Sequence, residues 1–205
     1  MTLVERLTRQ LRYVVASEAE IPSEVLADAE RRMAHCIANV AIKRYETFRP
    51  EHTAQYAIFL YFLSNSAFRM GVLPLAEGAY ALNKALHAVE LFYEVELPAV
   101  FVCDHPLGSV MGRARYGERF SFAQGCTVGN SGGIYPVIGS NVAMCANATV
   151  LGRATVGDGA IIAAGTLVVD QDVPAGMIAF GRSPALVFKP VKPVTRALFS
   201  FFRTS

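Results

Sequence analysis

At 205 residues the chain is long enough for one large domain or two small ones, either with a substantial buried core. Hydrophobic residues make up 53% and charged residues only 18%, which argues against a disordered chain and predicts apolar surface covered by other subunits. The formal charge of +2, carried by scattered basic residues, argues against nucleic acid as a partner.

The first half reads as helical. Leu7, Leu11 and Val14 share one face at helical spacing, and Pro22-Ser23-Glu24 is a helix start. Phe48-Arg49-Pro50 ends the second helix, Glu51 to Met70 carries a third, and Gly71 with Pro74 separates it from a fourth running to about Phe92. Four helices are expected, in a domain spanning residues 1–95. The most apolar window, Ala57 to Leu63, is far short of the roughly 20 residues that cross a bilayer, and MTLVERLTRQ has no apolar run of a signal peptide. Cys36, Cys103, Cys126 and Cys145 lack both CxxC spacing and the density of a disulfide scaffold. The expectation is a soluble cytoplasmic protein with reduced thiols and no membrane partner.

Past Pro98 the period changes. Val110, Tyr116, Phe122 and Val128 lie six apart, and Ile138, Met144, Val150, Val156, Ile162 and Val168 resume the same spacing. Small residues recur two positions before most anchors, and Gly or Ala often follows them. Neither a helix nor an alternating strand has this period, whereas a parallel β-helix does when three hexads close one triangular coil. A sandwich of short strands would show spacings of about eight to twelve instead. The fold class expected is therefore α+β: an all-helical region, then a parallel β-helix over 96–188, then a tail over 189–205.

Between Val128 and Ile138 the spacing is ten, so four residues of GNSGGIYP, Gly129 to Pro136, must leave the coil. A glycine-rich excursion from a stiff prism suits a substrate loop, although a neutral insertion would look the same. Of the four histidines, His35, His52 and His87 fall in helical segments and only His105 belongs to the repeat. An imidazole can take up and return a proton near neutral pH, so His105 is either a general base or a structural residue capping the first coil. One histidine without a set of thiolates is not a zinc ligand set, so no metal is expected. A base at a coil rim beside a flexible loop suits acyl transfer to an alcohol or amine.

The stretch DHPLGSVMGRA, Asp104 to Ala114, its distance to CTVGN at Cys126, and the later GSNVAMCANATVLGRATVGDGAIIAAGTLVV resemble the serine acetyltransferases of the hexapeptide-repeat acyltransferase superfamily. The similarity runs from about Phe92 to Lys189 and closes on PAGMIAFGRSPALVF. It implies a left-handed coil for the β-helix, acetyl-CoA as co-substrate and a small-molecule acceptor, L-serine or a similar molecule. It also implies a homotrimer with active sites between subunits, in some members paired through the helical domains. His105 matches the catalytic histidine and Asp104 the acidic neighbour that helps bind the acceptor. Glu96 in VELP is the nearest match to the carboxylate that orients the histidine, with Glu90 the alternative from an ungapped count.

The loop departs from the family pattern Gly-Gly-Asp-Arg-His-Pro, reading Gly132-Gly133-Ile134-Tyr135-Pro136 here. The arginine that would fork onto a substrate carboxylate is Ile134, and Tyr135 stands in the histidine position as a possible hydrogen-bond donor. Arg113 replaces an acidic residue after the first coil and, with Arg115, is a ligand for carboxylate or phosphate or else a solvated surface charge. Ala146, Ala163, Ala164 and Gly165 are small positions where coenzyme A could approach the backbone, and equally corner-packing residues. Arg182, Lys189 and Lys192 are candidates for its phosphates. Two other readings stay open: an acetyltransferase for a sugar hydroxyl or amino-sugar, and a non-catalytic scaffold.

Overall fold

The computed structural model describes residues 1–203. Four helices come first: α1 (Leu3–Val15), α2 (Ser23–Ala38), α3 (Thr53–Arg69) and α4 (Leu73–His87). Thr2 and Glu5 form a capping box on α1, satisfying two backbone donors that would otherwise lack partners. The buried stripe of α1 is Leu7 and Leu11 with Val15 packed beside them; Val14 points to solvent, one position off the expected face. The second helix ends at Ala38, well before Phe48, because Val40 leaves to pair with Phe202 and Lys43–Tyr45 forms a separate 3₁₀ turn.

Helix α3 is buried on every side from Ala54 to Ala67, as expected of a segment too apolar to carry a solvent face. Most of its buried polar groups are matched, Asn65 Oδ1 being an exception. Tyr61 Oη donates to the Val95 carbonyl and accepts from the Leu97 N–H, both at 2.8 Å, and Asn65 donates to the Tyr93 carbonyl at 2.8 Å. Tyr61 and Phe62 meet the ring of Phe101 edge-on at 5.6 and 5.7 Å, which clamps the helical half to the first strand of the coils. His87 is buried on α4, where its Nδ1 lies 2.8 Å from Asn83 Oδ1 and burial pushes its pKa down to about 4. It belongs to the core of the helical half.

From Glu90 the chain climbs as a solenoid whose short strands stack, parallel, into three sheets of five, three and six strands. Only the last pair, Met177–Phe180 with Val187–Pro190, is antiparallel and closes the stack. Pairing thus begins ahead of the expected boundary at residue 96, since Glu90–Leu91 already aligns with Val110–Met111. One interior ladder runs Leu91, Met111, Val128, Val150, Val168; a second runs Cys103, Phe122, Met144, Ile162, Ala179; the third holds Tyr116, Ile138 and Val156.

The first anchor differs from the sequence expectation. Val110 pairs with Thr127 rather than Val128, so it is Met111, fully buried, that fills the ladder while Val110 is half-exposed. The first hexad is one residue short, and strict counting by six misassigned it. The later spacing holds, and glycines follow the anchors because coils touch there: a Cβ on Gly157 would sit 2.4 Å from the Ala175 nitrogen. The four extra residues form a tight hairpin in which Ser131 and Ile134 exchange two 3.1 Å backbone bonds around Gly132 and Gly133, both at positive φ.

After the last strand comes α5 (Pro193–Leu198), and the tail then turns back on its own chain. The Phe201 carbonyl accepts from the Ala41 N–H at 2.8 Å and Phe202 packs against the core, so the aromatic tail covers part of this chain's helical half; Thr204 and Ser205 lie outside the described residues.

Met111→Ala should lower stability by about 2–5 kcal/mol in urea unfolding, and Val110→Ala by well under half of that; equal costs would return the ladder position to Val110. His87 generates a second expectation. Its folded pKa lies below the unfolded value near 6.5, so between the two the unfolded chain binds a proton that the folded chain refuses. Stability should be flat above about pH 6.5 and fall toward pH 4 by up to about 3 kcal/mol, a slope that His87→Gln removes.

Candidate active site

The strand Phe101–Cys103 is held from the helical side: Cys36 Sγ reaches the Phe101 carbonyl at 3.2 Å and Cys103 Sγ the Ala54 carbonyl at 3.6 Å. The Asp104 N–H still bonds the next coil, to the Phe122 carbonyl at 2.9 Å. The chain then turns sharply, with His105 in the left-handed region at φ 49°, its carbonyl accepting from the Leu107 N–H at 2.7 Å. Such a backbone is uncommon for a residue with a side chain and is held here by the coil and helix contacts on both sides. It presents the imidazole outward, 80% exposed, with Nε2 3.6 Å from Asp104 Oδ1.

His105 and Asp104 line a cavity of about 580 Å³ whose opposite wall is the segment from Ile42 to Ala54, between α2 and α3. Arg44, Tyr45, Arg49 and His52 stand on that wall. His52 caps α3, its Nδ1 accepting from the Gln55 N–H at 3.4 Å, which leaves the proton of the neutral ring on Nε2. Burial, then the Arg49 and Arg44 charges, push its pKa down. Cys103 also lines the cavity, but full burial drives its thiol pKa far up, so it is no thiolate nucleophile for His105 to activate.

The corner that His105 occupies continues down the prism. Gly125 N–H bonds the Leu107 carbonyl, Asn147 N–H the Gln124 carbonyl, and Gly165 N–H the Ala146 carbonyl, at 2.8 to 2.9 Å. Ala146, Ala163, Ala164 and Gly165 therefore stand in one column beneath Asp104 and His105, and Arg182 lies just past its lower end, bridged to Leu167 on the adjoining face. Three coil steps of about 4.8 Å put Ala164 roughly 14 Å below the histidine. Lys189 lies on the closing strand with Nζ over the Phe180 ring at 5.5 Å.

The other candidates gather at the next corner. Arg113 and Tyr135 line a groove with Glu90, Phe92 and Asn130. Arg113 Nη2 pairs with Glu94 Oε2 at 2.6 Å, its guanidinium lies 5.9 Å from the Phe92 ring, and the Glu94 and Tyr135 hydrogen bonds push its pKa up. Gly132 and Gly133 form the hairpin tip and have open space beside them. The carboxylates expected to orient His105 are engaged elsewhere. Glu96 accepts from Asn65 Nδ2 at 3.3 Å and Glu90 pairs with Lys84 at 2.7 Å, and neither lines the His105 cavity. Glu96 thus stays at the interface with the helical half. Sequence reading missed Arg44, Tyr45, Arg49 and His52 as neighbours of His105, because no repeat or motif links residues that far apart along the chain. Among the described residues no group of three or more His, Cys, Asp or Glu side chains is placed to hold a metal ion, and no helix is long and apolar enough to cross a membrane.

No family model matches the chain. It is 32% identical to the putative serine acetyltransferase of Schizosaccharomyces pombe over 162 residues, 77% of this chain and 58% of that protein. With the serine acetyltransferase of Bacillus pumilus it shares 27% identity over 152 residues, 72% of this chain and 70% of that protein. The chain thus spans under two thirds of the yeast relative's length. Two solved structures of Neisseria gonorrhoeae serine acetyltransferase share its fold. One gives a TM-score of 0.75 at 23% identity, over 96% of this chain and 81% of that one. The other, in complex with serine, gives 0.70 at 26% identity, over 94% and 84%. The chain is thus similar to serine acetyltransferases along more than two thirds of its length, and shares with solved ones a helical half followed by a left-handed β-helix over more than nine tenths of it.

Proposed function

We propose that the chain transfers an acetyl group from acetyl-CoA to the hydroxyl of L-serine or a closely similar small molecule. One observation carries this reading: an exposed histidine with a carboxylate neighbour heads a column of small residues and faces a cavity large enough for an acceptor. Coenzyme A would run along that column past Ala146, Ala163, Ala164 and Gly165, with Arg182 and Lys189 toward its phosphates. His105 removes the acceptor's hydroxyl proton as the oxygen attacks the thioester carbon. The tetrahedral intermediate collapses with loss of coenzyme A sulfur, and the histidinium returns the proton to the departing thiolate. Asp104 helps to hold the acceptor.

A homotrimer completes the site in this reading. His105 stands at one corner of the prism and Arg113 with Tyr135 at the next, so neighbouring prisms in a ring could bring these corners together, with the Gly132-Gly133 hairpin and the Tyr135 hydroxyl closing on the acceptor. Four unpaired cysteines suit a cytoplasmic setting. One observation favours a second acceptor class: the loop carries Ile134 where relatives of this pattern carry the arginine that holds a carboxylate, which would suit a sugar hydroxyl.

His105→Ala should lower kcat by about 10²- to 10⁴-fold with its melting temperature unchanged, measured as thiol release from acetyl-CoA. A folded variant that keeps most of its activity would sink the role of His105. The same assay with L-serine, homoserine and amino-sugars ranks the acceptors; faster turnover of an amino-sugar than of L-serine would move the substrate to the second class.

A further inference from the structure

The Ile134 substitution leaves open how an amino-acid carboxylate could be held, and the wall facing His105 offers an answer. Arg44 and Arg49 stand there with exposed side chains, and among the described residues neither makes an ion pair or a side-chain hydrogen bond. Among the described residues neither glutamate of that segment pairs with them: Glu51 is paired with Arg6 of α1, and Glu46 does not line the cavity. Arg113, the other basic candidate, is already occupied by Glu94.

A second, independent feature lies between them in sequence. Tyr45 is 97% buried by its 3% exposure, lines the same cavity, packs edge-on against His52 at 5.4 Å, and its hydroxyl has no hydrogen-bond partner among the described residues. The hydroxyl is closed to solvent, and since buried hydroxyls are almost always paired, it stands as an unmet donor for an acceptor atom that settles beside it. Two free guanidinium groups, a hydroxyl donor and the His52 Nε2–H make a donor-rich wall, with Asp104 and His105 opposite.

We propose that Arg44 and Arg49, with Tyr45, form a carboxylate subsite contributed by the helical half, which holds the acceptor's carboxylate while its hydroxyl meets His105. The acceptor is then an amino or hydroxy acid rather than a sugar. This rests on the acetyltransferase reading for the role of His105, but the subsite can be tested without turnover. The lost loop arginine is replaced from a different part of the chain by guanidinium groups, whose paired N–H donors suit a carboxylate.

The test is equilibrium binding of L-serine and of L-serinamide, its uncharged carboxamide counterpart, to the full chain by titration calorimetry. The native protein should prefer L-serine, and Arg44→Gln with Arg49→Gln should weaken L-serine binding by about 10- to 100-fold while changing serinamide binding by less than about threefold. Tyr45→Phe, which keeps the buried ring, should give a smaller loss with the same selectivity. No loss of L-serine affinity in the double variant, an equal loss for both ligands, or a native protein without preference for the carboxylate overturns the subsite. Acetyl transfer is read on the same samples. A protein that binds L-serine through the arginines yet releases no thiol from acetyl-CoA keeps the subsite and rejects the acetyltransferase reading.

Discussion

Adjacent coils of the solenoid lie one strand spacing apart, about 4.8 Å, and every residue that repeats around the prism must be compatible with that distance. Inward positions need one mid-sized apolar side chain per coil, as in the ladder Cys103, Phe122, Met144, Ile162, Ala179. Positions after the anchors need no side chain at all where one backbone crosses another, as at Gly157. Corners become columns, so a residue at a corner acquires vertical neighbours from every later coil. The placement of His105 above Ala146 and Gly165 follows from that stacking rather than from any local preference of those residues.

A prism wall alone offers a ligand a groove rather than a pocket. The helical half changes this by packing α3 against the strand Phe101–Cys103, where Tyr61 and Phe62 grip Phe101. That contact carries the loop between α2 and α3 across the first coil and encloses the cavity in front of His105. Burial on α3 thus has a functional consequence. The helix is so apolar that it must be covered on all sides, and the coil end is one of the surfaces that covers it. The returning tail, bonded at Ala41, ties the same loop from behind.

Charge is distributed unequally between the two corners. Arg113 is drawn into an ion pair with Glu94 and over the Phe92 ring, a conventional surface arrangement. Among the described residues Arg44 and Arg49 have no such partner, and Glu51 on their wall is taken by Arg6. An alteration in the substrate loop and an unneutralised pair of arginines elsewhere are readily understood together, since a binding carboxylate needs a cation but not one from a particular element.

The sequence by itself determined the architecture, because a period of six has no other economical structural reading and because side chains that repeat report the coil they fill. It also singled out His105 and Asp104, the polar break at the start of that pattern, and the departure at Ile134. It misplaced the first anchor, since a one-residue deletion at Met111 keeps the strand in register while breaking the count. Only the tertiary structure decided which groups meet His105. Glu96, close in sequence, is held at the helical interface by Asn65, whereas Arg44, Tyr45, Arg49 and His52 face it from more than fifty residues away. Periodicity records contacts between successive coils, and it carries no trace of a contact made by docking one half of the chain onto the other.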